Sequence, residues 1–300
     1  MEQLLKSVNV CILICTCDRH EMLGTLLAHF AKATYANSVP IYIADNGEKP
    51  ANRVLERFSD RLTIHYTRVQ ETGLVPVRNA VFEMAMAGGH EFLALIDDDE
   101  LPSPGWLEAH VSTALREKAD VVTGPCLPLL DGPLPRWLRD TDFLDKDETT
   151  FGTHNVLLRG SALPDQDGGL FHPRFSRIGG EDWDLQNRLR SSGARFASST
   201  EALVYEHVPP ERRRLRYYFR EGIRTAVMAA EIARHLDEHE GKVRLKMTRI
   251  GLLKLCYAAE HLLFCLFANG HLVRATKDLG YCWGTILTLL KVQTSFYGRT

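Results

Sequence analysis

Residues 91–100 read EFLALIDDDE, a largely apolar run followed by four consecutive acids. An apolar run of this length is typical of a strand that is buried on both faces of a parallel sheet. The four carboxylates repel one another, and a strand end offers no helix dipole to relieve them. The stretch therefore predicts a central strand whose carboxyl end binds a divalent cation. The alternative is a solvated turn in which an aspartate caps the next helix.

Strand-like and helix-like segments alternate through the first two thirds of the chain. Strands are predicted at 8–15, 40–44, 62–66, 91–96 and 120–124, and helices at 21–32, at 75–86 and from about Pro104. This order predicts an α/β fold with a doubly wound sheet, in which ligands bind beyond the carboxyl ends of the strands. Acids follow three of the predicted strands: Asp18, Asp45 and Asp97 to Asp99.

A second acidic group follows two glycines in the sequence GGEDWD, residues 179–184. It is predicted to open a helix between isolated strands at 153–159 and 202–206. The glycines let the backbone approach a ligand, and the helix dipole favours ionised acids in the first turn. A carboxylate placed there can accept a proton from a hydroxyl group within hydrogen-bond distance. Acids in a first turn also stabilise helices without any catalytic role, so both interpretations stay open.

The composition describes a soluble globular protein with an asymmetric charge. Of 300 residues, 25% are charged and 45% are hydrophobic, which excludes disordered, collagen-like and polytopic membrane chains. The net charge of -2 argues against general nucleic-acid binding. Residues 208–300 nevertheless carry 16 Lys and Arg against 8 Asp and Glu, so residues 1–207 carry a net charge of -10. Such a basic tail predicts contact with phosphates or an anionic membrane surface. The alternative is that the two parts neutralise each other.

The tail contains a largely apolar segment at 250–268. Its length approaches the roughly 20 residues that span a bilayer, but Lys254, Glu260 and His261 lie inside it. An ionised residue at the bilayer centre costs about 2.5–3.5 kcal/mol, so a spanning helix is disfavoured. A second apolar stretch at 281–292 instead predicts a helical hairpin. That hairpin would lie on a membrane surface, pack on the catalytic body or form a dimer.

Seven cysteines with no regular spacing occur in the chain, and no secretory signal precedes them. We therefore expect a reducing, cytoplasmic environment. Cys15 and Cys17 are predicted to be buried small side chains rather than a metal-binding pair.

Together, the acidic groups and the strand order resemble the family 2 glycosyltransferases. These are inverting nucleotide-sugar enzymes of the GT-A fold, and the resemblance is strongest to the branch that assembles bacterial exopolysaccharides such as succinoglycan. No GxGxxG fingerprint or GxxxxGK[ST] loop occurs, which argues against dinucleotide oxidoreductases and P-loop enzymes. The matching stretches cover about residues 8–210 in the expected order: VNVCILICTCDR, IYIADNG, GLVPVRNAV, FLALIDDDELPSPGWL, FGTHNVLLRGSAL, FSRIGGEDWDLQNRLRSSGARF and VYEHVP.

The resemblance implies a GT-A catalytic domain over residues 1–210, with a nucleotide-binding half at 1–125 and an acceptor-side half at 126–210. Residues 211–300 would form a basic, apolar helical extension. Nucleotide-binding roles fall on five positions. Thr16, Asp18 and Arg19 would line the nucleotide pocket, Asp45 would accept a hydrogen bond from the base, and Arg78 would lie beside the diphosphate.

The same resemblance assigns a DxD motif to Asp97 and Asp99. Asp97 would face the ribose, Asp99 would bind Mn²⁺ or Mg²⁺ between the two phosphates, and Asp98 would lie between them with a lesser role. His207 would close over the diphosphate, in some relatives as a metal ligand. Its alternative role is that of a packing residue.

The remaining implied roles concern the sugars. Asp182 would be the general base and Glu181 would position hydroxyl groups. Asn155 would face the sugar pocket, and Trp183 could stack on a sugar ring.

Two departures from the family pattern refine the expectation. Cys15-Thr16-Cys17-Asp18 replaces the usual Pro-Thr-Tyr-Asn, which puts the stacking usually supplied there in doubt, and the QxxRW motif of processive members does not occur. An arginine cluster at 212–224 lies in a comparable place, and its forked side chains suit the pyrophosphate of a lipid carrier. We therefore expect a single-addition enzyme rather than a polymerase.

The expected activity is transfer of one sugar from a nucleotide-diphosphate donor to a lipid-linked or saccharide acceptor at the inner face of the cell membrane. A UDP-sugar is the favoured donor. Two alternatives stay open: a metal-dependent sugar nucleotidyltransferase, and a membrane-recruited sugar-nucleotide-binding module without turnover. The first would release pyrophosphate from a nucleoside triphosphate instead of a nucleoside diphosphate.

Overall fold

The computed structural model describes residues 2–33, 38–139, 141, 143–144, 149, 151–164, 169–235 and 239–296. The strands are β1 Val10–Thr16, β2 Ile41–Asp45, β3 Ile64–Arg68, β4 Phe92–Leu95, β5 Glu100–Pro102, β6 Val121–Thr123, β7 Cys126–Leu129, β8 Val156–Arg159, β9 Phe196–Ser198 and β10 Val204–His207. The α-helices are α1 Glu2–Ser7, α2 His20–Phe30, α3 Asn52–Leu55, α4 Leu74–Ala87, α5 Trp106–Arg116, α6 Glu181–Ser191, α7 Leu215–His235, α8 Glu240–Phe264 and α9 His271–Leu289.

The central sheet has the strand order β3-β2-β1-β4-β8-β6-β9. β1 to β4 are parallel, and β4 is buried along its whole length because sheet neighbours flank it and helices cover both faces. The acids that follow β1, β2 and β4 therefore reach the same edge of the sheet. This confirms the α/β architecture expected from the sequence.

One strand runs against the others. β8 lies between β4 and β6 and is antiparallel to both. A run of apolar residues indicates burial but not chain direction, so the sequence could not supply this feature. A second, three-stranded sheet of order β5-β10-β7 pairs Glu100 with Glu206 beside the aspartates.

Helices cover both faces of the central sheet. α2 and α5 bury Leu26 and Trp106 against Ile12 on one face. α4 and α6 bury Phe82 and Leu189 on the other. These two apolar clusters position the amino-terminal ends of α4 and α6 on one side of the cleft that the acids border.

The C-terminal helices differ from the expected hairpin in their bounds. The predicted segment at 250–268 covers the second half of α8, which ends at Phe264, and part of the turn that follows. α8 begins earlier than expected, at Glu240, with a basic stretch. Gly270, in the left-handed conformation, precedes α9. Among the described residues, no helix combines the length and the apolar character needed to cross a bilayer. Met228 of α7 packs with the apolar cluster under α4 and α6. The division of the chain at residue 210 stays a prediction.

Helices α7 and α9 approach each other so closely that glycine is required at their contact. A Cβ atom on Gly280 would collide with the carbonyl oxygen of Phe219, and one on Gly222 would collide with that of Lys277. The atoms that would be struck belong to helix backbones, so a side-chain rotation cannot relieve the clash. The two helices would have to separate.

We expect Gly280→Ala to lower the free energy of unfolding by about 3 kcal/mol, the upper end of the usual cost of overpacking. Gly241→Ala is the matched control, because its Cβ would make ordinary contacts near the start of α8. Urea denaturation of both variants provides the measurement. Equal stability of Gly280→Ala and the unsubstituted chain would contradict this account of the helix contact.

Candidate functional site

A cavity of about 590 Å³ opens at the carboxyl ends of the parallel strands. Most side chains that the sequence assigned to the nucleotide line it. They are Thr16, Asp18, Arg19, Arg78, Asp97, Asp98 and Asp99. The expected position of the site, beyond the ends of β1 and β4, agrees with this geometry.

The aspartates at the end of β4 are buried at a cost. Burial, together with the neighbouring carboxylates of Glu100 and Asp99, raises the pKa of Asp97 to about 7, against the opposing effect of the Arg78 guanidinium. Burial also raises the pKa of Asp98 to about 6, against the opposing effects of Arg19 and Thr16. Positive charge brought into the cavity would therefore favour the ionised forms of both.

Each aspartate has a different set of partners. Asp98 accepts hydrogen bonds from Thr16 Oγ1 at 2.7 Å and from Arg19 Nη1 at 3.0 Å. The same Arg19 nitrogen donates to Asp99 Oδ2 at 2.8 Å. No hydrogen bond from a described side chain reaches the carboxylate of Asp97. Asp98 is thus held by the protein, whereas Asp97 and Asp99 offer oxygen ligands at the cavity.

These oxygens fit the expected cation. Mn²⁺ and Mg²⁺ favour carboxylate oxygens together with substrate phosphates over a complete cage of protein ligands. The buried, mutually repelling carboxylates of Asp97 and Asp99 meet that requirement. Arg19 already compensates part of the charge, so its guanidinium competes with a cation for the same oxygens.

An ion pair joins the aspartates to the second acidic group. Arg78 projects from α4, lines the cavity and binds Glu181 at the start of α6. Both side chains are largely buried, and the second oxygen of Glu181, Oε2, has no hydrogen-bond partner among the described residues. Arg78 therefore lies between Asp97, whose pKa it lowers, and Glu181.

A second link fixes the same two segments. Asn79, next to Arg78, donates to the carbonyl of Phe171 at 2.9 Å and accepts from its amide at 2.8 Å. The residue beside Arg78 thus anchors α4 to the segment that leads into α6, which gives Asn79 a structural role.

Asp182 and Trp183 follow Glu181 in the first turn of α6. Asp182 is half-buried and accepts from the backbone amide of Trp183 at 2.9 Å, while the Trp183 ring is exposed. Neither side chain lines the cavity itself. Asp184 is occupied by Arg188 at 2.9 Å and by His235 at 3.3 Å, so it takes no part in the cleft.

Comparison with known proteins decides the family. The model described as "Glycosyltransferase like family 2" matches residues 8–227, which is most of the chain and contains every residue of the cleft. This chain belongs to the family 2 glycosyltransferases.

Curated relatives agree with the family and point to polysaccharide synthesis. The succinoglycan biosynthesis protein ExoM of Rhizobium meliloti is 31% identical over 253 residues, which cover 78% of this chain and 79% of ExoM. The hyaluronan synthase of Pasteurella multocida is 22% identical over 245 residues. That alignment covers 68% of this chain but only 25% of the synthase.

Solved structures show the same fold. A mannosyltransferase from Pyrobaculum calidifontis, in complex with GDP-Man and Mn²⁺, superimposes with a TM-score of 0.62 at 13% identity and covers 95% of this chain and 88% of its own. S. aureus TarS 1-349 with UDP-GlcNAc gives 0.55 at 12% identity over 97% and 99%. The glycosyltransferase thus has the GT-A architecture expected from the resemblance.

Within this glycosyltransferase, the carboxylate of Asp45 is surrounded by donors from the protein itself, and its contact with a base stays a prediction. Its side chain is fully buried and accepts from the amides of Gly47 and Ala51 at 2.8 and 3.0 Å. Tyr66 and Arg68 each reach it at 2.8 Å. Both oxygens already accept hydrogen bonds from the protein, and the buried side chain is not among those that line the cavity, so Asp45 organises the turn after β2. Asp18 lines the cavity, but its carboxylate also accepts from backbone amides at 48 and 49.

Asn155 is likewise a structural residue and does not face the cavity. Its Oδ1 accepts from Trp106 at 2.7 Å and from His110 at 3.0 Å, and its Nδ2 donates to the carbonyls of Pro125 and Ala202. Burial lowers the pKa of His110 to about 4, so the ring stays neutral. The fully satisfied amide ties α5 to the strands beneath it.

His207 lies next to the metal motif, but the contact of its ring is with another segment. Its backbone amide donates to the carbonyl of Asp99 at 2.9 Å, but its ring faces Asp131 at 3.5 Å. Alternation along β10 instead directs Glu206 inward, where it binds Arg212 at 2.7 Å and lines the cavity. The sequence pattern VYEHVP led to His207 and not to its neighbour Glu206. Side chains alternate between the two faces of a strand, and this alternation was the signal that could have identified Glu206.

A further group, Glu100, Cys126 and His154, lies beneath the aspartates. Glu100 Oε1 contacts His154 Nδ1 at 3.0 Å and Cys126 Sγ at 3.6 Å, and Glu100 Oε2 accepts from the Asp97 amide at 3.0 Å. Sulfur and imidazole ligands suit zinc better than Mn²⁺ or Mg²⁺. The hydrogen bonds that these three side chains make already give them a structural role, that of supporting the aspartate turn.

The seven cysteines are all free thiols, and only part of the expectation for Cys15 and Cys17 holds. Cys15 is partly buried, and burial raises the pKa of its thiol to about 12. Cys17 is exposed and lines the cavity, so its prediction as a buried side chain is wrong.

The raised pKa of Asp97 makes stability depend on pH. A carboxyl whose folded pKa is about 7 contributes stability that is present below its ordinary value and is lost as the pH rises through 7. Without divalent cations, we expect the free energy of unfolding to fall by a few kcal/mol between pH 5 and pH 8, since each pKa unit is worth about 1.4 kcal/mol. Urea denaturation at both values measures it.

Asp97→Asn should reduce this dependence of stability on pH. Asp60→Asn should leave it unchanged, because the Asp60 side chain is 78% exposed. An Asp97→Asn variant with the same pH slope as the unsubstituted chain would show that Asp97 does not bear this charge penalty.

Proposed function

We propose that this glycosyltransferase moves one sugar from a nucleotide-diphosphate donor to a hydroxyl group of a lipid-linked or saccharide acceptor. The favoured donor is a UDP-sugar, and the transfer inverts the configuration at the anomeric carbon. The observation that carries the proposal is the bridge from the aspartates through Arg78 to Glu181. This contact joins the cavity that Arg78 lines to the amino-terminal end of α6, which supports a donor site and an acceptor site beside each other. ExoM, assigned to succinoglycan biosynthesis, supports an exopolysaccharide acceptor.

The donor diphosphate would meet three arginines at the cavity. Arg19, Arg78 and Arg212 all line it, and guanidinium groups form paired, charge-assisted hydrogen bonds with phosphate oxygens. Asp97 and Asp99 would hold Mn²⁺ or Mg²⁺, which supplies positive charge to the departing diphosphate when bound. Asp98 would keep Arg19 in place through its hydrogen bond.

The acceptor hydroxyl would lose its proton to Asp182. This carboxylate is half-buried at the start of α6, next to the Glu181 that binds Arg78. A single base opposite the leaving group allows direct displacement at the anomeric carbon, which inverts its configuration. The exposed ring of Trp183 would contact a sugar of the acceptor.

We also propose that the enzyme works as a peripheral protein at the cytoplasmic face of the cell membrane. An acceptor carried on a lipid is available only there. The net positive charge of residues 208–300 supports contact with anionic headgroups, whereas nucleic acid is not an expected partner.

Asp182→Asn should reduce sugar transfer by about a thousandfold, within the usual contribution of a general base, and leave donor binding intact. The amide has nearly the same shape but accepts no proton, and residue 182 does not line the donor cavity. Release of UDP with a candidate acceptor measures transfer, and calorimetric titration with UDP and Mn²⁺ measures donor-side binding.

Asp184→Asn is the matched control on the same helix. Its carboxylate faces Arg188 and His235, so the change should affect stability rather than transfer. Near-normal transfer by Asp182→Asn, or an equal loss in both variants below their melting temperatures, would remove Asp182 from the role of base.

A further inference from the structure

The turn between α8 and α9 forms an apolar tip. Leu263, Leu266 and Phe267 are 73%, 82% and 82% exposed, the highest values among the large hydrophobic side chains that the structure describes. Leu262 and Phe264 beside them are about half exposed. Consecutive residues in a helical turn point in different directions, so solvent surrounds the tip on several sides.

This exposure continues along the hairpin. α8 packs on α9 through one buried stripe that contains Val243, Met247, Gly251 and Ala258. Most of the rest of its second half exposes apolar side chains, although Glu260 is exposed among them and Lys254 pairs with Asp278 of α9 at 2.8 Å. The exposed members of α8 are Leu252, Leu253, Leu255 and Tyr257, and those of α9 and the turn that follows it are Leu279, Trp283, Ile286 and Leu290. An exposed apolar surface of this extent marks an interaction site.

The charges of α8 indicate which partner covers this surface. Its first ten residues contain four exposed basic side chains, Lys242, Arg244, Lys246 and Arg249, against one acid, Glu240. A basic beginning and an apolar end match the headgroup and acyl layers of an anionic bilayer. A flat protein partner would cover one side of the tip, whereas a fluid acyl layer surrounds it. Acids at 140, 142, 145, 147 and 148 lie outside the described residues.

The tip is also connected to the catalytic cleft. The amide of Gly270 donates to the carbonyl of Trp137 at 3.1 Å, and Trp137 belongs to the segment that follows β7. In that segment Asp131 contacts His207 through its side chain and Arg213 through its carbonyl. A membrane contact at the tip would thus orient the loop beside the cleft toward the lipid surface.

We propose that the α8–α9 hairpin docks on the anionic phospholipid monolayer and inserts Leu263, Leu266 and Phe267 among the acyl chains. The basic first half of α8 contacts phosphate headgroups, and the loop at 130–137 lies near the headgroup plane. This deepens the proposed membrane location and rests on it. The donor cavity, which is formed by other segments, does not depend on the insertion.

Co-sedimentation of the full chain with vesicles tests the proposal. We expect association with phosphatidylcholine vesicles that contain 30% phosphatidylglycerol, weaker association with pure phosphatidylcholine, and release as the salt concentration rises because the basic contacts are screened. Leu266→Asp/Phe267→Asp should weaken association at least tenfold. Both side chains are exposed, so the fold should not change.

Met86→Asp/Leu115→Asp is the control, because it places the same two negative charges at exposed apolar side chains of α4 and α5 in the catalytic half. It should bind vesicles like the unsubstituted chain. Undiminished vesicle binding by the tip variant would overturn the proposal. The proposal would also be overturned if the unsubstituted chain did not bind vesicles but formed a dimer, and the tip variant were monomeric, in analytical ultracentrifugation.

Binding of UDP with Mn²⁺ in solution separates this proposal from the proposed sugar transfer. The tip variant should keep the affinity of the unsubstituted chain. If UDP fails to bind either protein while vesicle association is lost only in the tip variant, the membrane proposal stands and the transferase proposal fails.

Discussion

The ion pair between Arg78 and Glu181 is the contact on which the arrangement of the cleft depends. Its residues lie on α4 and α6, which cover the same face of the sheet but come from opposite parts of the sequence. The guanidinium compensates Glu181 directly and lowers the pKa of Asp97. Removing either partner would leave a buried charge without compensation, which costs far more than an exposed ion pair contributes.

Around this pair, the cleft keeps more negative charge than its arginines neutralise. Asp97, Asp98, Asp99 and Glu206 line the cavity together with Arg19, Arg78 and Arg212. Burial makes this excess unfavourable in the isolated protein, and the raised pKa values of the aspartates express that cost. A divalent cation with a diphosphate would add both signs of charge in the same place. The same excess of negative charge thus lowers the stability of the ligand-free chain and increases its affinity for a cation.

The sequence predicted those features that depend on local pattern. Buried strands appear in the sequence as apolar runs. The α/β fold and the position of the aspartates after β4 could therefore be predicted from the sequence. The antiparallel direction of β8 did not, because burial alone does not specify direction. The surroundings of Asp45 and Asn155 were hidden for a related reason: a polar residue near a strand end is visible in the sequence, but its hydrogen-bond partners come from distant segments. The contact between Arg78 and Glu181, 103 positions apart, was equally invisible.

The most direct test of this account is a double-mutant cycle on UDP affinity in the presence of Mn²⁺, with Arg78→Gln, Glu181→Gln and both changes together. The account holds that Glu181 acts by keeping Arg78 at the diphosphate. Glu181→Gln should then weaken UDP binding about tenfold when Arg78 is present and have almost no effect in the Arg78→Gln background. This difference corresponds to a coupling energy of about 1.4 kcal/mol. Equal losses in both backgrounds would contradict the account, because Glu181 would then act independently of Arg78.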